Sequence, residues 1–304
     1  MAKYLICIVG PTAVGKTALS IELAQYYKTE ILSFDSRQIY KELNIGTAKP
    51  TVQERKGIPH HFIDELSITQ KFSAGEFQQQ STARLESLFQ KYNVVIAVGG
   101  TGLYLKALLE GLDIFPQIDL QVRQTLQDRY QKEGLKNLVA ELACLDPITY
   151  QNIDKHNPRR VLRALEVCLQ TGKPYSSFLA KKNIKHNFKI IKIGLNLPRQ
   201  ELYTRINARV LRMIEKGLIS EVQNLIDQNV DFSLNSLNTV GYKEIYAYLH
   251  QQYDLDTAID LIQQNTRRYA KRQLTWFRAD TQVQWFEPDQ YQEILAFLNT
   301  YLQI

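Results

Sequence analysis

The sequence predicts an α/β fold: a mostly parallel sheet flanked by helices, with an inserted helical domain. Short apolar runs alternate with helical patterns, and a glycine-rich turn leads from the first apolar run into a helix. In the middle of the chain the strand signal disappears and helical patterns take over. With 304 residues and 44% hydrophobic content, the chain can bury one large core together with an inserted lobe.

The predicted strands are short apolar runs of the kind that parallel sheets bury on both faces. Five are present: Tyr4 to Val9, Ile31 to Phe34, Val94 to Val98, Ile190 to Leu195 and Val283 to Phe286. The first three end in glycine-rich or polar turns. Because ligands bind beyond the carboxyl ends of the strands in open α/β sheets, we expect these turns to converge on one crevice.

Helical patterns fill the middle and the end of the chain. They cover Val122 to Tyr130, Leu135 to Cys144, Val161 to Leu169, Leu202 to Ile214, Leu218 to Ile226 and Thr257 to Phe277. From these patterns we predict two domains. Residues 1–115 and 188–304 form the α/β core, and residues 116–187 form the helical insertion.

The turn after the first strand fits the phosphate-loop pattern G-x-x-x-x-G-K-[ST]. At the start of a helix, backbone N–H groups and the positive end of the helix dipole favour an anion. Lys16 adds a positive charge, and the Thr17 hydroxyl is placed to hold a Mg²⁺ ion bound to the phosphates. The predicted loop consists of Gly10, Pro11, Thr12, Ala13, Val14, Gly15, Lys16 and Thr17.

Polar residues follow the second strand directly, beginning with Asp35. A carboxylate at this place can be an indirect Mg²⁺ ligand, a general base or a helix N-cap. Ser36 can cap equally well, which would leave Asp35 free for chemistry. Gln38 carries an amide, the kind of group that reads the edge of a nucleobase.

The third strand ends in Gly99-Gly100-Thr101-Gly102, which fits a second glycine turn and equally fits tight packing of a strand on a helix. Many phosphate-loop enzymes carry an acid here, and ATPases and ordinary kinases need one for Mg²⁺. No acid lies near Val98. This absence indicates that the loop binds a diphosphate for a purpose other than ATP hydrolysis.

Basic residues are concentrated in two segments, and the whole chain has a formal net charge of +6 and a pI of about 9.0. The segment nearer the C-terminus contains Arg267, Arg268, Lys271, Arg272 and Arg278. A solvated surface explains either cluster alone; two clusters beside a phosphate-binding core favour a nucleic acid. Against the single acid Glu166, the first segment carries ten basic residues: Lys155, Arg159, Arg160, Arg163, Lys173, Lys181, Lys182, Lys185, Lys189 and Lys192.

Other sequence features narrow the class of protein. No apolar stretch approaches the roughly 20 residues that cross a bilayer, and the first residues lack the zones of a signal peptide. We therefore expect a cytoplasmic protein without membrane contact. Cys7, Cys144 and Cys168 lie far apart and form no C-x-x-C pair, so neither a zinc site nor a disulfide framework is indicated.

Taken together, the motifs of this chain resemble those of the tRNA dimethylallyltransferase family, also called tRNA isopentenyltransferases. The resemblance covers nearly the full chain, and without a zinc-finger extension it is closest to the compact bacterial type. The motifs occur in the family's order: GPTAVGKT at Gly10, DSRQIY at Asp35, GTAKP at Gly46, PHHFID at Pro59, VGGTGLY at Val98, NPRRVLRALEV at Asn157, TVGYKE at Thr239 and AKRQLTWFR at Ala270.

This resemblance implies a P-loop-kinase-like core and a defined reaction: transfer of a dimethylallyl group from dimethylallyl diphosphate to N6 of the adenosine 3′ of the tRNA anticodon. The loop would hold the donor's diphosphate, and Lys16 and a Mg²⁺ ion at Thr17 would neutralise the leaving group. The adenine amine is a poor nucleophile, so a general base helps by about 10² to 10⁴-fold. We expect Asp35 to be that base.

The resemblance also implies where tRNA is contacted. Thr101 would lie beside the target nucleotide, and Asp35, Ser36, Arg37 and Gln38 would form the contacting stretch. Arg123 would contact tRNA from the insertion, although a plain helix-surface charge explains it as well. Arg205 has two interpretations, a diphosphate contact or a structural salt bridge. Further phosphate contacts are expected from Arg159, Arg160 and Arg163.

Three other functions compete with this interpretation. An adenylate isopentenyltransferase would use the same donor with free AMP or ATP as acceptor, and the basic segments argue against it. A small-molecule or nucleoside kinase fits the phosphate loop alone. A non-catalytic RNA-binding protein fits the basic segments alone. We expect the chain to act as a monomer.

Overall fold

We describe residues 2–179 and 184–302 of a computed structural model of this chain. In this part of the chain, six parallel strands form one sheet in the order β3-β2-β4-β1-β5-β6. The strands are β1 (Tyr4–Val9), β2 (Ile31–Ser33), β3 (His60–His61), β4 (Val94–Val98), β5 (Lys189–Leu195) and β6 (Val283–Phe286).

The predicted mostly parallel sheet is confirmed, and all five predicted strands are present. The sequence pattern missed β3. Its two histidines pair with Ile31 and Leu32 at the edge of the sheet, and a two-residue edge strand has no apolar run to reveal it. His60 hydrogen-bonds the Ile58 carbonyl and His61 pairs with Glu30, in keeping with the local packing role expected of such a pair.

Helices cover both faces of the sheet because β1 is apolar on both sides. Leu5, Cys7 and Val9 belong to one buried cluster, and Ile6 and Ile8 belong to the other. The helices are α1 (Lys16–Tyr27), α2 (Ala74–Lys91), α3 (Gly102–Glu110), α4 (Leu120–Leu145), α5 (Pro147–Asn152), α6 (Pro158–Thr171), α7 (Arg199–Glu215), α8 (Leu218–Asp227), α9 (Tyr242–Leu249), α10 (Leu255–Arg278) and α11 (Tyr291–Leu302).

The chain folds into two compact units. One contains residues 1–109 and 185–304, and the other contains residues 110–184. The sequence placed these boundaries at 115 and 188, a few residues later along the chain. The whole sheet lies in the first unit, and the second unit contains α4, α5 and α6.

The second unit has its own small apolar core. Leu126, Leu138 and Leu142 of α4 pack with Val161 and Leu165 of α6. The sequence predicted two helices in the region of α4, and the structure has two helical segments there, separated by non-helical dihedrals at Gly134, where φ is 76°. Glycine adopts this backbone conformation without the strain that a side chain would bring.

The structure bears on two expectations from the sequence, the lack of membrane-spanning segments and the state of the three cysteines. Of the helices described, none is both long and apolar enough to cross a membrane. The three cysteines are free thiols; Cys7 and Cys168 are buried and Cys144 is exposed. Burial raises the pKa of Cys7 to about 12, so this thiol stays protonated and packs as an apolar side chain.

Candidate active site

The predicted phosphate loop connects β1 to α1 at the carboxyl edge of the sheet. Gly10 has a φ of 142°, and a side chain there would collide with the carbonyl oxygen of Leu195 on the neighbouring β5. Gly15 precedes α1, and no side chain caps the first turn of that helix. The free N–H groups of this turn therefore point at the place where an anion would bind.

Lys16 holds a positive charge inside this loop. Its ammonium donates hydrogen bonds to the carbonyls of Gly10 at 3.0 Å and Pro11 at 2.7 Å. Desolvation, with a smaller contribution from the Arg209 guanidinium, lowers the pKa of Lys16 to about 7, while Asp35 acts in the opposite direction. A lysine with its pKa so depressed gains a great deal from a bound anion.

Arg209 of α7 is a second cation of the site, and the sequence analysis missed it. Its guanidinium donates to the Thr12 hydroxyl at 3.1 Å. Desolvation lowers its pKa, and no carboxylate of the described residues pairs with it. The amphipathic pattern of α7 gave no signal that separates Arg209 from Arg205, because each comes three residues after one buried residue and directly before another.

Arg205, one turn earlier on α7, is not part of the loop. Its guanidinium pairs with Glu201 at 2.8 Å on the exposed side of the helix. Of its two interpretations, the structural salt bridge is therefore the correct one. Arg209 takes the place beside the phosphate loop that Arg205 had been considered for.

The two carboxylate oxygens of Asp35 differ in their hydrogen bonds. Oδ1 accepts the backbone N–H of Arg37 at 2.9 Å and that of Gln38 at 3.4 Å, which fixes the turn after β2. Oδ2 accepts no hydrogen bond from the described residues. Of the two residues that could cap this turn, Asp35 does so, yet one of its oxygens stays available as a proton acceptor.

Thr101 joins the turn after β4 to the turn after β2. Its hydroxyl accepts the Ser36 N–H at 3.1 Å and donates to the Ser36 hydroxyl at 3.3 Å. The Tyr269 hydroxyl also lies beside Thr101; desolvation and then the charge of Asp35 raise the pKa of Tyr269. The turns after β2 and β4, which were predicted to converge, are thus in contact in the structure.

Gln38 is more constrained than the sequence suggested. Its amide nitrogen donates to the carbonyls of Thr47 at 3.1 Å and Ala48 at 3.3 Å, so both donor hydrogens hold a neighbouring loop. Only its amide oxygen remains for reading a base. Arg37 is half-buried, and its guanidinium pairs with no carboxylate of the part of the chain described.

Helix α10 closes the site, a role that the sequence analysis did not foresee. The Gln273 side chain lies between the two glycine turns, where it bonds both the Thr12 N–H and the Gly100 carbonyl. A Cβ atom at Gly100 would collide with Gln273, and one at Gly102 would collide with Trp276. The glycines of the second turn are therefore needed because α10 packs directly on them.

The described side chains offer few groups that coordinate a metal ion, so a bound diphosphate would have to supply most of them. Within residues 2–179 and 184–302, no group of three or more histidine, cysteine or acidic side chains is arranged to bind a metal. The Thr17 hydroxyl lies in the first turn of α1 and has no protein partner among the described residues. One free hydroxyl and the oxygens of a bound diphosphate fit Mg²⁺, which keeps several waters and prefers phosphate oxygens.

Some of the recognised motifs are structural. Glu221 of α8 accepts the N–H groups of Ile45 and Gly46 and the hydroxyl of Tyr242, which ties GTAKP to TVGYKE. The carboxylate of Asp64, in the PHHFID motif, forms ion pairs with the Lys49 ammonium and the Arg55 guanidinium at 2.6 Å each. These residues lie in the core unit and hold its loops together.

In the insertion, the single acid of the basic segment already forms ion pairs with two arginines. Glu166 pairs with Arg123 at 3.1 Å and with Arg163 at 2.9 Å. Arg159 and Arg160 are exposed at the start of α6 and pair with no acid of the described chain. These two arginines are thus the more available of the predicted phosphate contacts.

The basic segment from 155 to 192 is divided between the two units. It continues from the insertion into the core unit, where Lys192 is a strand residue that pairs with Asp280 at 2.6 Å. Lys189 lies over the ring of Tyr4. Lys181 and Lys182 lie outside the described residues. The charge count of the sequence therefore overstated what a ligand can meet here.

Comparison with known proteins gives consistent matches over both units. The family model described as IPP transferase matches residues 38–280. A curated tRNA dimethylallyltransferase of Cytophaga hutchinsonii is 50% identical over 301 residues, which cover 99% of this chain and 98% of the relative. A tRNA dimethylallyltransferase 1 of Bacteroides fragilis is 47% identical over 298 residues, which cover 98% of each protein.

Solved structures share the fold as well. A full-length tRNA isopentenylpyrophosphate transferase from Bacillus halodurans has a TM-score of 0.74 and 38% identity, covering 99% of this chain and 97% of that one. A eukaryotic dimethylallyltransferase acting on tRNA has a TM-score of 0.81 and 26% identity, covering 99% of this chain and 80% of that one.

Proposed function

This chain belongs to the IPP transferase family, and we infer from this that it transfers a dimethylallyl group from dimethylallyl diphosphate to N6 of the adenosine 3′ of the tRNA anticodon. One observation in the structure supports this reaction above all others. The predicted anion-binding loop has two poorly solvated cations, Lys16 and Arg209. The carboxylate of Asp35, which has one free oxygen, lies close enough to interact electrostatically with both.

The roles of these residues follow from the chemistry of the transfer. The N6 amine attacks the first carbon of the dimethylallyl group, and the bond from that carbon to the diphosphate oxygen breaks. Lys16, Arg209 and the first N–H groups of α1 stabilise the negative charge that the departing diphosphate gains. Oδ2 of Asp35 accepts the proton that N6 loses.

Mg²⁺ is part of the proposal because the residues fit it. The Thr17 hydroxyl and the donor's phosphate oxygens would hold the ion. When bound, Mg²⁺ neutralises charge on the leaving group. Lys16 and Arg209 perform the same task from the protein side, since neither forms an ion pair with a carboxylate of the described residues.

The acceptor side of the proposal concerns RNA. The target adenine has to leave the stack of the anticodon loop, which costs a few kcal/mol. Contacts from Arg37, Thr101 and the amide oxygen of Gln38 would receive it, and Arg159 and Arg160 of the insertion would hold backbone phosphates. A cytoplasmic location and a monomeric state complete the proposal.

The acceptor is tested by offering labelled dimethylallyl diphosphate with tRNA and, separately, with AMP and ATP. We expect label in tRNA alone. Label moving only to the free nucleotide would identify an adenylate isopentenyltransferase. A kinase would instead transfer the terminal phosphate of ATP, and an RNA-binding protein without activity would leave the mass of tRNA unchanged.

A further inference from the structure

The loop of residues 43–49 lies beside the turn after β2, in the core unit. Its Thr47 and Ala48 carbonyls accept hydrogen bonds from the Gln38 amide nitrogen at 3.1 and 3.3 Å. A flipped amide would place its oxygen against these two carbonyl oxygens, which would repel it. The 43–49 loop therefore sets the orientation of the Gln38 side chain.

The fixed amide of Gln38 presents one kind of group to a ligand. Both of its hydrogens are used by the 43–49 loop, whereas its oxygen accepts no hydrogen bond from the residues that the structure describes. Gln38 can therefore accept a hydrogen bond from a ligand but cannot donate one. The base of adenosine has a single donor group, the N6 amino group, so this is the group that Gln38 can bind.

The 43–49 loop is held in a strained conformation. Ala48 has a φ of 49°, in the left-handed region that residues with a side chain rarely adopt. Such strain persists only where surrounding contacts hold the backbone, and it is common at ligand sites. A contact of the loop with the core must therefore keep the Ala48 carbonyl where Gln38 meets it.

Lys49, the next residue, supplies this contact. Its side chain is only 3% exposed. The ammonium donates to the Tyr40 carbonyl at 2.6 Å, to the Asn44 side-chain oxygen at 3.0 Å and to the Asp64 carboxylate at 2.6 Å. All three of its hydrogens are thus used within the protein. Lys49 ties the end of the loop to its beginning and has no donor left for a ligand.

Arg55 offers a comparison with Lys49. Its guanidinium pairs with the same Asp64 carboxylate, also at 2.6 Å, and donates to the Pro50 carbonyl at 3.0 Å. Within the described chain, no hydrogen bond joins Arg55 to residues 43–49. The two cations therefore share one carboxylate, but only Lys49 holds the loop that orients Gln38.

We propose that Lys49 is a positioning residue for the RNA acceptor: by holding the 43–49 loop, it keeps the Gln38 oxygen oriented to accept a hydrogen of an adenine amino group. Lys49 does not touch the RNA itself, and its effect passes through two carbonyls and one amide. This inference rests on the proposed function, because it takes an adenosine of tRNA as the acceptor.

The test is a double-mutant cycle that combines Lys49→Met with Gln38→Leu. Methionine fills much of the space of lysine without its hydrogen bonds, and Asp64 keeps its ion pair with Arg55. The kcat/KM for tRNA and the Kd for inorganic diphosphate are measured for wild type, both single variants and the double variant. Arg55→Met is the matched control, since it removes the other cation of Asp64.

We expect Lys49→Met to lower kcat/KM for tRNA by roughly tenfold, about the effect of losing one hydrogen bond. In the Gln38→Leu background the same substitution changes kcat/KM by less than about twofold, because the amide that Lys49 positions is gone. Arg55→Met changes it by less than about twofold in either background. The Kd for diphosphate stays at the wild-type value throughout, which shows that the variants are folded.

Unchanged kcat/KM in Lys49→Met, or equal losses in both Gln38 backgrounds, would overturn the proposal, because Lys49 would then act only on the fold as a whole. An equally large loss in Arg55→Met would do the same. If Lys49→Met does not fold, Asn44→Ala takes its place in the cycle with the same outcomes, since this exposed residue is one acceptor of the Lys49 ammonium. Wild type that modifies no tRNA would instead contradict the proposed function.

Discussion

Gln273 and Thr12, 261 residues apart in the sequence, are joined by a hydrogen bond of 2.8 Å from the Thr12 backbone N–H to the Gln273 side-chain oxygen. The amide nitrogen of the same side chain donates to the Gly100 carbonyl at 3.0 Å. Because this task needs one acceptor and one donor on a short side chain, an amide fits it and a carboxylate does not. Gln273 thus fixes the phosphate loop relative to the turn that carries Thr101.

We predict that Gln273→Leu lowers kcat/KM by roughly 10- to 100-fold, because the loop and the turn lose their fixed separation. The buried Gly100 carbonyl and the partly buried Thr12 N–H also lose their partner, and the buried one costs about 1–3 kcal/mol in the free energy of unfolding. Steady-state kinetics and thermal unfolding measure both effects. Gln264→Leu, at an exposed position of the same helix, is the control. Unchanged kinetics in Gln273→Leu would remove its positioning role.

The pKa of Lys16 predicts how diphosphate binding depends on pH. In the free protein this pKa is lowered to about 7, and a bound diphosphate raises it by favouring the charged form. The contribution of Lys16 to binding is therefore complete below pH 7 and declines as pH rises above 7. Titration calorimetry with inorganic diphosphate between pH 6 and 9 measures it.

The diphosphate also changes its own charge over this range, so the comparison with Lys16→Ala isolates the lysine. We expect the affinity ratio of wild type to variant to fall as pH rises from 7 to 9. A ratio that stays constant over this interval would mean that Lys16 does not titrate there.

Arg209 and Arg205 form a matched pair one turn apart on α7. Arg209 contacts Thr12 of the loop, and Arg205 pairs with Glu201 on the exposed side of the helix. We predict that Arg209→Gln weakens diphosphate binding by roughly 10- to 100-fold, as expected for a charge-assisted hydrogen bond, and that Arg205→Gln leaves it unchanged. Equal effects of the two substitutions in calorimetry would contradict this assignment.

Asp35→Asn tests the proposed base without disturbing the turn. The asparagine oxygen can still accept the N–H groups of Arg37 and Gln38, but the side chain cannot take a proton. We predict a loss of turnover of about 10² to 10⁴-fold with tRNA affinity retained. Single-turnover kinetics and tRNA binding provide the measurement. Wild-type turnover in Asp35→Asn, or in Asp35→Ala, would exclude Asp35 as the base.

The sequence predicted those features that are local in the chain. Apolar runs located five of the six described strands, and the glycine pattern located the phosphate loop between β1 and α1. Gly134 separates the two helical patterns predicted in this region, and the two helical segments of α4 are separated at the same residue. Such features depend on neighbours in sequence, and so the pattern of residues is sufficient to find them.

The missed features depend on distant parts of the chain. In the sequence, Gln273 is one polar residue of a predicted helix. Its role depends on the packing of α10 on both glycine turns, which the local pattern does not show. Arg209 and Arg205 carry the same charge, and only the packing of α7 shows which of them meets Thr12. The basic segment looked uniform because a count of charges does not reveal that Lys192 pairs with Asp280.

The most direct measurement of the central claim is mass analysis of tRNA nucleosides after incubation with the protein, dimethylallyl diphosphate and Mg²⁺. We predict that one adenosine, the one 3′ of the anticodon, gains a dimethylallyl group in place of one hydrogen on N6, with release of diphosphate. A tRNA whose nucleosides all keep their original mass, under conditions in which the protein binds that tRNA, would contradict the account.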